Sequence, residues 1–182
     1  MFRRAITAVL VLGVSTFLSA GDNTRSISET SEVFIGVELG ATMAQGRTGG
    51  VFGEENYDDM GASLGLRLGA QNALWRSMIV VDYFDNDVQN YERAMIQVDY
   101  YVMSNRFNST TFRPYIGLNG GYANYEATGV LDDSGFVYGG QIGFTASVSE
   151  NIDLDVAYRH SIASPDDLDH IGNVVFGVNY LY

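Results

Sequence analysis

The sequence predicts an all-β protein: an eight-stranded antiparallel up-and-down transmembrane β-barrel. Three observations carry that prediction. From residue 32 onward the chain alternates with period two between apolar residues and small, polar or charged ones, the mark of strands with two unlike faces. The alternating segments run roughly 10 to 13 residues, longer than the common strand of about five or six and matched to the ~9 to 11 tilted residues that cross a bilayer. Their connections alternate as well, short ones after even-numbered strands and mostly longer, acidic ones after odd-numbered strands. Membrane barrels with short periplasmic turns and long external loops have that layout.

The elements follow in order. MFRRAITAVLVLGVSTFLSA, residues 1–20, places Arg3 and Arg4 before an apolar run and ends on Ser19 and Ala20. That is the layout of a secretory signal peptide with cleavage after Ala20. The run is too short for the ~20 residues of a spanning helix. Loss of the two arginines takes the formal charge from −12 to −14. Residues 21–31 are polar and read as a flexible periplasmic leader; the barrel is expected over 32–182.

The first strand, EVFIGVELGATMA, sets Val33, Ile35, Val37, Leu39, Ala41 and Met43 against Glu32, Phe34, Gly36, Glu38, Gly40 and Thr42. The second, from about Asp59, sets Met60, Ala62, Leu64, Leu66 and Leu68 against Gly61, Ser63, Gly65, Arg67 and Gly69. In the third, from Trp75 to about Phe84, Ile79, Val81 and Tyr83 oppose Arg76, Met78, Val80 and Asp82. The fourth sets Ala94, Ile96, Val98, Tyr100 and Val102 against Arg93, Met95, Gln97, Asp99 and Tyr101. The fifth follows Phe112, with Ile116, Leu118 and Tyr122 opposite Arg113, Tyr115, Gly117, Asn119 and Gly121. The sixth and seventh carry Phe136, Tyr138, Ile142 and Phe144, then Ile152, Leu154, Val156 and Tyr158, as their apolar sides. The eighth, NVVFGVNYLY, ends on the alternation itself.

Which face is inside decides between a membrane barrel and a soluble, lipocalin-like one. An eight-stranded barrel has an interior only just wide enough for side chains. The polar face mixes many glycines with a few long charged residues, which suits a crowded lumen better than a water-facing surface. The apolar face is continuous, as lipid requires. Aromatic residues gather near its two ends: Trp75, Phe112, Tyr180 and Tyr182 at one, Tyr83, Tyr122, Phe136, Tyr138 and Tyr158 at the other. Amphipathic rings favour the two membrane interfaces.

Inward parity then collects Glu38, Arg67, Asp82, Arg93, Asp99, Asp153, Asp155 and Arg159, with Glu32, Arg76 and Arg113 on the same face. Near-balance of opposite charges in a narrow bore reads as a salt-bridged plug, since ionised groups away from water need partners. A continuous channel is the alternative. Asp153 and Asp155 share a face like a catalytic pair, but no histidine or nucleophile is tied to them by motif. No catalytic, cofactor-binding or metal-binding residue is expected. There are no cysteines, which removes thiolate chemistry and disulfides. All ten basic residues are arginine and the net charge is −12, which argues against nucleic acid.

The external loops hold most of the remaining acid, including Glu54, Glu55, Asp58, Asp59, Asp85, Asp87, Asp132, Asp133, Asp166, Asp167 and Asp169, against Arg47. Oxygen-rich loops can bind divalent cations weakly. The segment DDLDH nevertheless lacks the spaced ligands and glycine of a calcium loop, so solvated, mutually repelling loops are the expectation.

Phe176, Val178, Tyr180 and Tyr182 in NVVFGVNYLY resemble the C-terminal signal of bacterial outer-membrane proteins that the barrel-assembly machinery reads, with Tyr182 where phenylalanine is commoner. In architecture the barrel segment resembles the small OmpA/OmpX-like outer-membrane β-barrel group, which includes surface antigens of the opacity type. That resemblance implies a monomeric Gram-negative outer-membrane protein in contact with lipid and lipopolysaccharide, with a structural or surface role and no enzymatic activity. A periplasmic peptidoglycan-binding domain is not expected. The alternatives are a small pore and, further off, a lipid-modifying enzyme. RHSIAS resembles the lipid-facing His-x-Ser pair of lipid A deacylases only in part. His160 has outward parity, but Ile162 stands where the serine is needed and Ser161 has the opposite parity.

Overall fold

The computed structural model describes residues 31–50, 53–85, 89–103, 105–107, 110–127, 133–163 and 168–182. The expected signal peptide and nearly all of the leader lie outside the described residues. Eight long strands build the wall: β1 Glu32–Gly50, β2 Gly53–Gln71, β3 Trp75–Asp85, β4 Gln89–Tyr101, β6 Thr110–Ala127, β7 Asp133–Ser147, β8 Ile152–Ala163 and β9 Leu168–Leu181. A three-residue segment, β5 Asn105–Phe107, pairs with the start of β6 inside the turn that follows β4. There Asn105, Arg106 and Phe107 fold back on Phe112, Thr111 and Thr110.

Every pairing is antiparallel, and the sheet closes on itself. Strands follow one another around the wall, β9 pairs with β1, and β4 pairs with β6 across β5. Closure satisfies the strand edges that lipid would leave unpaired. The final strand is one side of the β1–β9 seam: Phe34 is opposite Leu181, Val37 opposite Val178, and the Tyr182 amide donates to the Val33 carbonyl at 3.0 Å.

The two faces divide as the alternation predicts. Leu118, Phe136 and Leu66 are 73%, 69% and 64% exposed, whereas Arg76, Asp99, Asp155 and Arg159 are fully buried. An apolar outside around a charged inside is the reverse of a soluble barrel, so the surrounding solvent is lipid. Trp75, Phe112, Tyr180 and Tyr182 are exposed toward the end where β1 begins and β9 stops, and Tyr83, Phe136, Tyr138 and Tyr158 toward the other. Trp75 and Tyr100 pack with ring centroids 4.8 Å apart.

Three details depart from the sequence reading. β1 and β2 continue as a hairpin from Ala44 to Gly50 against Gly53 to Asp59, its last part, from Arg47 to Gly50, running past the end of the pairing with β9. Their apolar outer rows stop at Met43 and Met60, so the alternation that signals a bilayer-crossing strand ends before the backbone pairing does. Glu32, expected inside, is exposed, because it opens β1 at the rim opposite Gln71. The lumen is also not polar throughout. Phe34, Met78, Val80, Met95 and Val137 belong to one buried apolar cluster. Phe84, Tyr91 and Ile171 form another toward the external end, the two rings stacked at 4.9 Å.

Candidate functional site: the lumen charge network

Inside the barrel, alongside those apolar clusters, five arginines meet five carboxylates. Some pairs are direct cross-strand neighbours. Arg76 is opposite Asp99 and donates from Nε at 2.8 Å. Arg93 is opposite Asp82 and forms a two-pronged contact at 3.0 and 2.5 Å. Two parallel bonds from one guanidinium fix its plane as well as its charge.

Other contacts cross the bore. Arg67 on β2 donates from Nε to Glu38 at 2.6 Å and from Nη1 to Asp155 on β8 at 3.0 Å. Arg76 on β3 reaches the other Asp155 oxygen at 2.7 Å. Arg159 on β8 spans to Glu38 on β1 at 3.0 Å and lies 3.5 Å from Asp82. Gln141 closes the circuit, donating to Asp99 at 2.5 Å and accepting from Arg159 at 3.2 Å. The result is a ring: Arg159, Glu38, Arg67, Asp155, Arg76, Asp99, Gln141 and back to Arg159. It ties six of the eight wall strands together. Tyr115 and Thr145 add hydroxyl donors to Asp155 at 3.1 Å each. The Tyr115 ring lies under the Arg76 guanidinium, 4.4 Å from centroid to Cζ.

Of the eight residues read from the sequence as a charge network, Glu38, Arg67, Asp82, Arg93, Asp99, Asp155 and Arg159 lie in this one connected group. Asp153 stands apart, nearer the periplasmic mouth, accepting from Arg113 at 2.9 Å and Gln71 at 2.8 Å. Tyr101 donates to Gln71 at 3.0 Å and carries Arg113 over its ring at 4.4 Å. The neutral members Gln141, Tyr115, Thr145, Gln71 and Tyr101 were missed as participants. Their signal was available, since all share the inward parity, but neutral side chains are not conspicuous in a search for charge.

Glycine supplies the room. A Cβ at Gly177 would stand 2.6 Å from Arg67 Cζ, and one at Gly117 would overlap the Asp99 carboxylate. Two further polar contacts sit above the ring: Asn173 donates to Thr42 at 2.6 Å, and Ser161 donates to Asn119 at 2.8 Å. Ser161 is therefore inside the barrel while His160 and Ile162 face outward. Phe176, Val178, Tyr180 and Tyr182, the residues read as an assembly signal, all lie exposed on the outer wall.

No protein-family model matches the sequence, and no curated protein does so. Solved structures do match. Neisserial surface protein A aligns with a TM-score of 0.60 at 16% identity, over 85% of this chain and 100% of its own. Outer membrane protein H (OprH) from P. aeruginosa aligns with a TM-score of 0.58 at 17% identity, over 83% and 99%. This chain has the fold of a small outer-membrane β-barrel. The outer membrane protein AlkL, solved in lipid bilayers, aligns with a TM-score of 0.50 at 12% identity, over 88% and 96%. Fold and apolar exterior together make the chain a transmembrane barrel suited to the outer membrane.

Proposed function

We propose that this outer-membrane barrel is a non-enzymatic, plugged scaffold with a structural or surface role, holding its acidic loops outside the cell. The observation that carries the reading is the ring through Arg159, Glu38, Arg67, Asp155, Arg76, Asp99 and Gln141, each member at most 6% exposed. A conducting bore needs a water column, and here side chains bonded across the lumen occupy that space. Further support comes from Ser161, which points into the barrel and is bonded to Asn119, so that Ile162 and not a serine takes the outward position two residues beyond His160. The carboxylates of Asp153 and Asp155 are each held by arginine rather than facing a substrate cleft. On this reading the partners are the surrounding lipid and lipopolysaccharide, and the assembly machinery that reads Phe176, Val178, Tyr180 and Tyr182.

Planar-bilayer recording on the refolded mature protein tests the proposal. The expected result is no discrete stepwise conductance. Reproducible steps that change in Asp99→Asn or Arg159→Gln would replace the plug with a pore. Lipid A of unchanged mass on overexpression is expected; a lost acyl chain would overturn the non-enzymatic reading.

A further inference from the structure

On the outer wall near the external end, two histidines from adjacent strands face each other. His160 on β8 is opposite Gly172 of β9, and His170 lies two residues along β9 on the same face. Their ring centroids are 5.4 Å apart and their planes inclined at 43°. They border a groove of about 290 Å³ with Tyr158, Met43, Met60 and Gly172. Gly172 makes the groove: the Tyr158 hydroxyl lies 3.4 Å from where its Cβ would be, so the phenol leans into space a larger residue would fill.

The geometry points to a transition-metal site here, in which His160 and His170 ligate one divalent ion of the copper–zinc class. Imidazole nitrogens bind such ions at about 2.0–2.1 Å, and two of them on one tetrahedral centre place their ring centroids roughly 5 Å apart. The observed centroid spacing of 5.4 Å matches that separation. Neutral imidazole suits copper, zinc and nickel, and Tyr158 and water complete the set. Among the described residues no third histidine, aspartate or glutamate joins the pair, so the site is open to solvent ligands rather than a closed structural centre. His160 is three residues from the end of β8 and His170 two from the start of β9, toward the external ends of both strands. Charge selects the same ligand class. A chain of net charge −12 attracts a metal cation and repels an anionic phosphate headgroup.

The test uses the tag-free mature barrel, folded in detergent, with copper(II) as the probe and electron paramagnetic resonance as the readout. One bound copper per barrel with hyperfine coupling to two equatorial nitrogens is expected. His160→Phe and His170→Phe should each lose one nitrogen coupling and the double variant both, while all three keep the heat-dependent gel shift of a folded barrel. Zinc should compete for the same site. A copper spectrum with oxygen ligation alone, or one that the double variant leaves unchanged, would place the ion on the loop carboxylates and overturn the proposal.

Discussion

Asp155 is the node whose loss the network should feel most. Its carboxylate accepts from Arg67 at 3.0 Å, Arg76 at 2.7 Å, and Tyr115 and Thr145 at 3.1 Å, with no measurable exposure. In Asp155→Asn one oxygen becomes a donor pointing at donors, and a negative charge disappears between two guanidinium groups. Breaking a buried ion pair from one side costs about 3–5 kcal/mol. Arg67 retains Glu38, and Arg76 retains Asp99, so the lower end, about 3 kcal/mol, is expected. With urea dependence of about 1–3 kcal/mol per molar, the unfolding midpoint falls by about 1–3 M. The assay is urea unfolding in lipid vesicles followed by the fluorescence of Trp75, the single tryptophan, which stands on the outer wall at 49% exposure. Asp155→Asn combined with Arg76→Gln should cost less than the sum of the two alone, because they share one interaction. A loss below about 0.5 kcal/mol, the range of an uncommitted surface site, would refute the ring as a structural device.

Three more outcomes follow from the same geometry. Gly177→Val should destabilise by about 1–3 kcal/mol through overpacking against Arg67, and the penalty should shrink in an Arg67→Ala background, as unfolding midpoints of the four variants would reveal. Leu118→Arg, on the outer wall halfway between Phe112 and Tyr122, should cost about 2–4 kcal/mol in bilayers; an unchanged midpoint would mean that this face does not meet lipid. Deleting Tyr182, or Tyr182→Asp, should lower the yield of folded barrel in cell envelopes, since the residue both bonds to Val33 and ends the exposed aromatic row. Normal yields would sink the assembly-signal reading.

The wall of the barrel was legible in the chain alone. Period-two alternation assigns each residue of a strand to one side, and lipid accepts only one of the two sides, so Leu118 and Arg67 had no freedom to exchange places. It also determined which charges share the lumen, because parity is a local property of the chain. It did not determine who pairs with whom. Arg76 with Asp99 and Arg93 with Asp82 needed the register between β3 and β4. The contacts from Arg67 to Asp155 and from Arg159 to Glu38 needed the curvature that brings β2 and β1 across from β8. Those contacts join residues 88 and 121 positions apart. For His160 the outward parity was legible, but His170 was read with the external loop segment DDLDH; the structure begins β9 at Leu168 and so brings the two together on one face. Only closure of the barrel, with its fixed stagger between neighbouring strands, decided those distances.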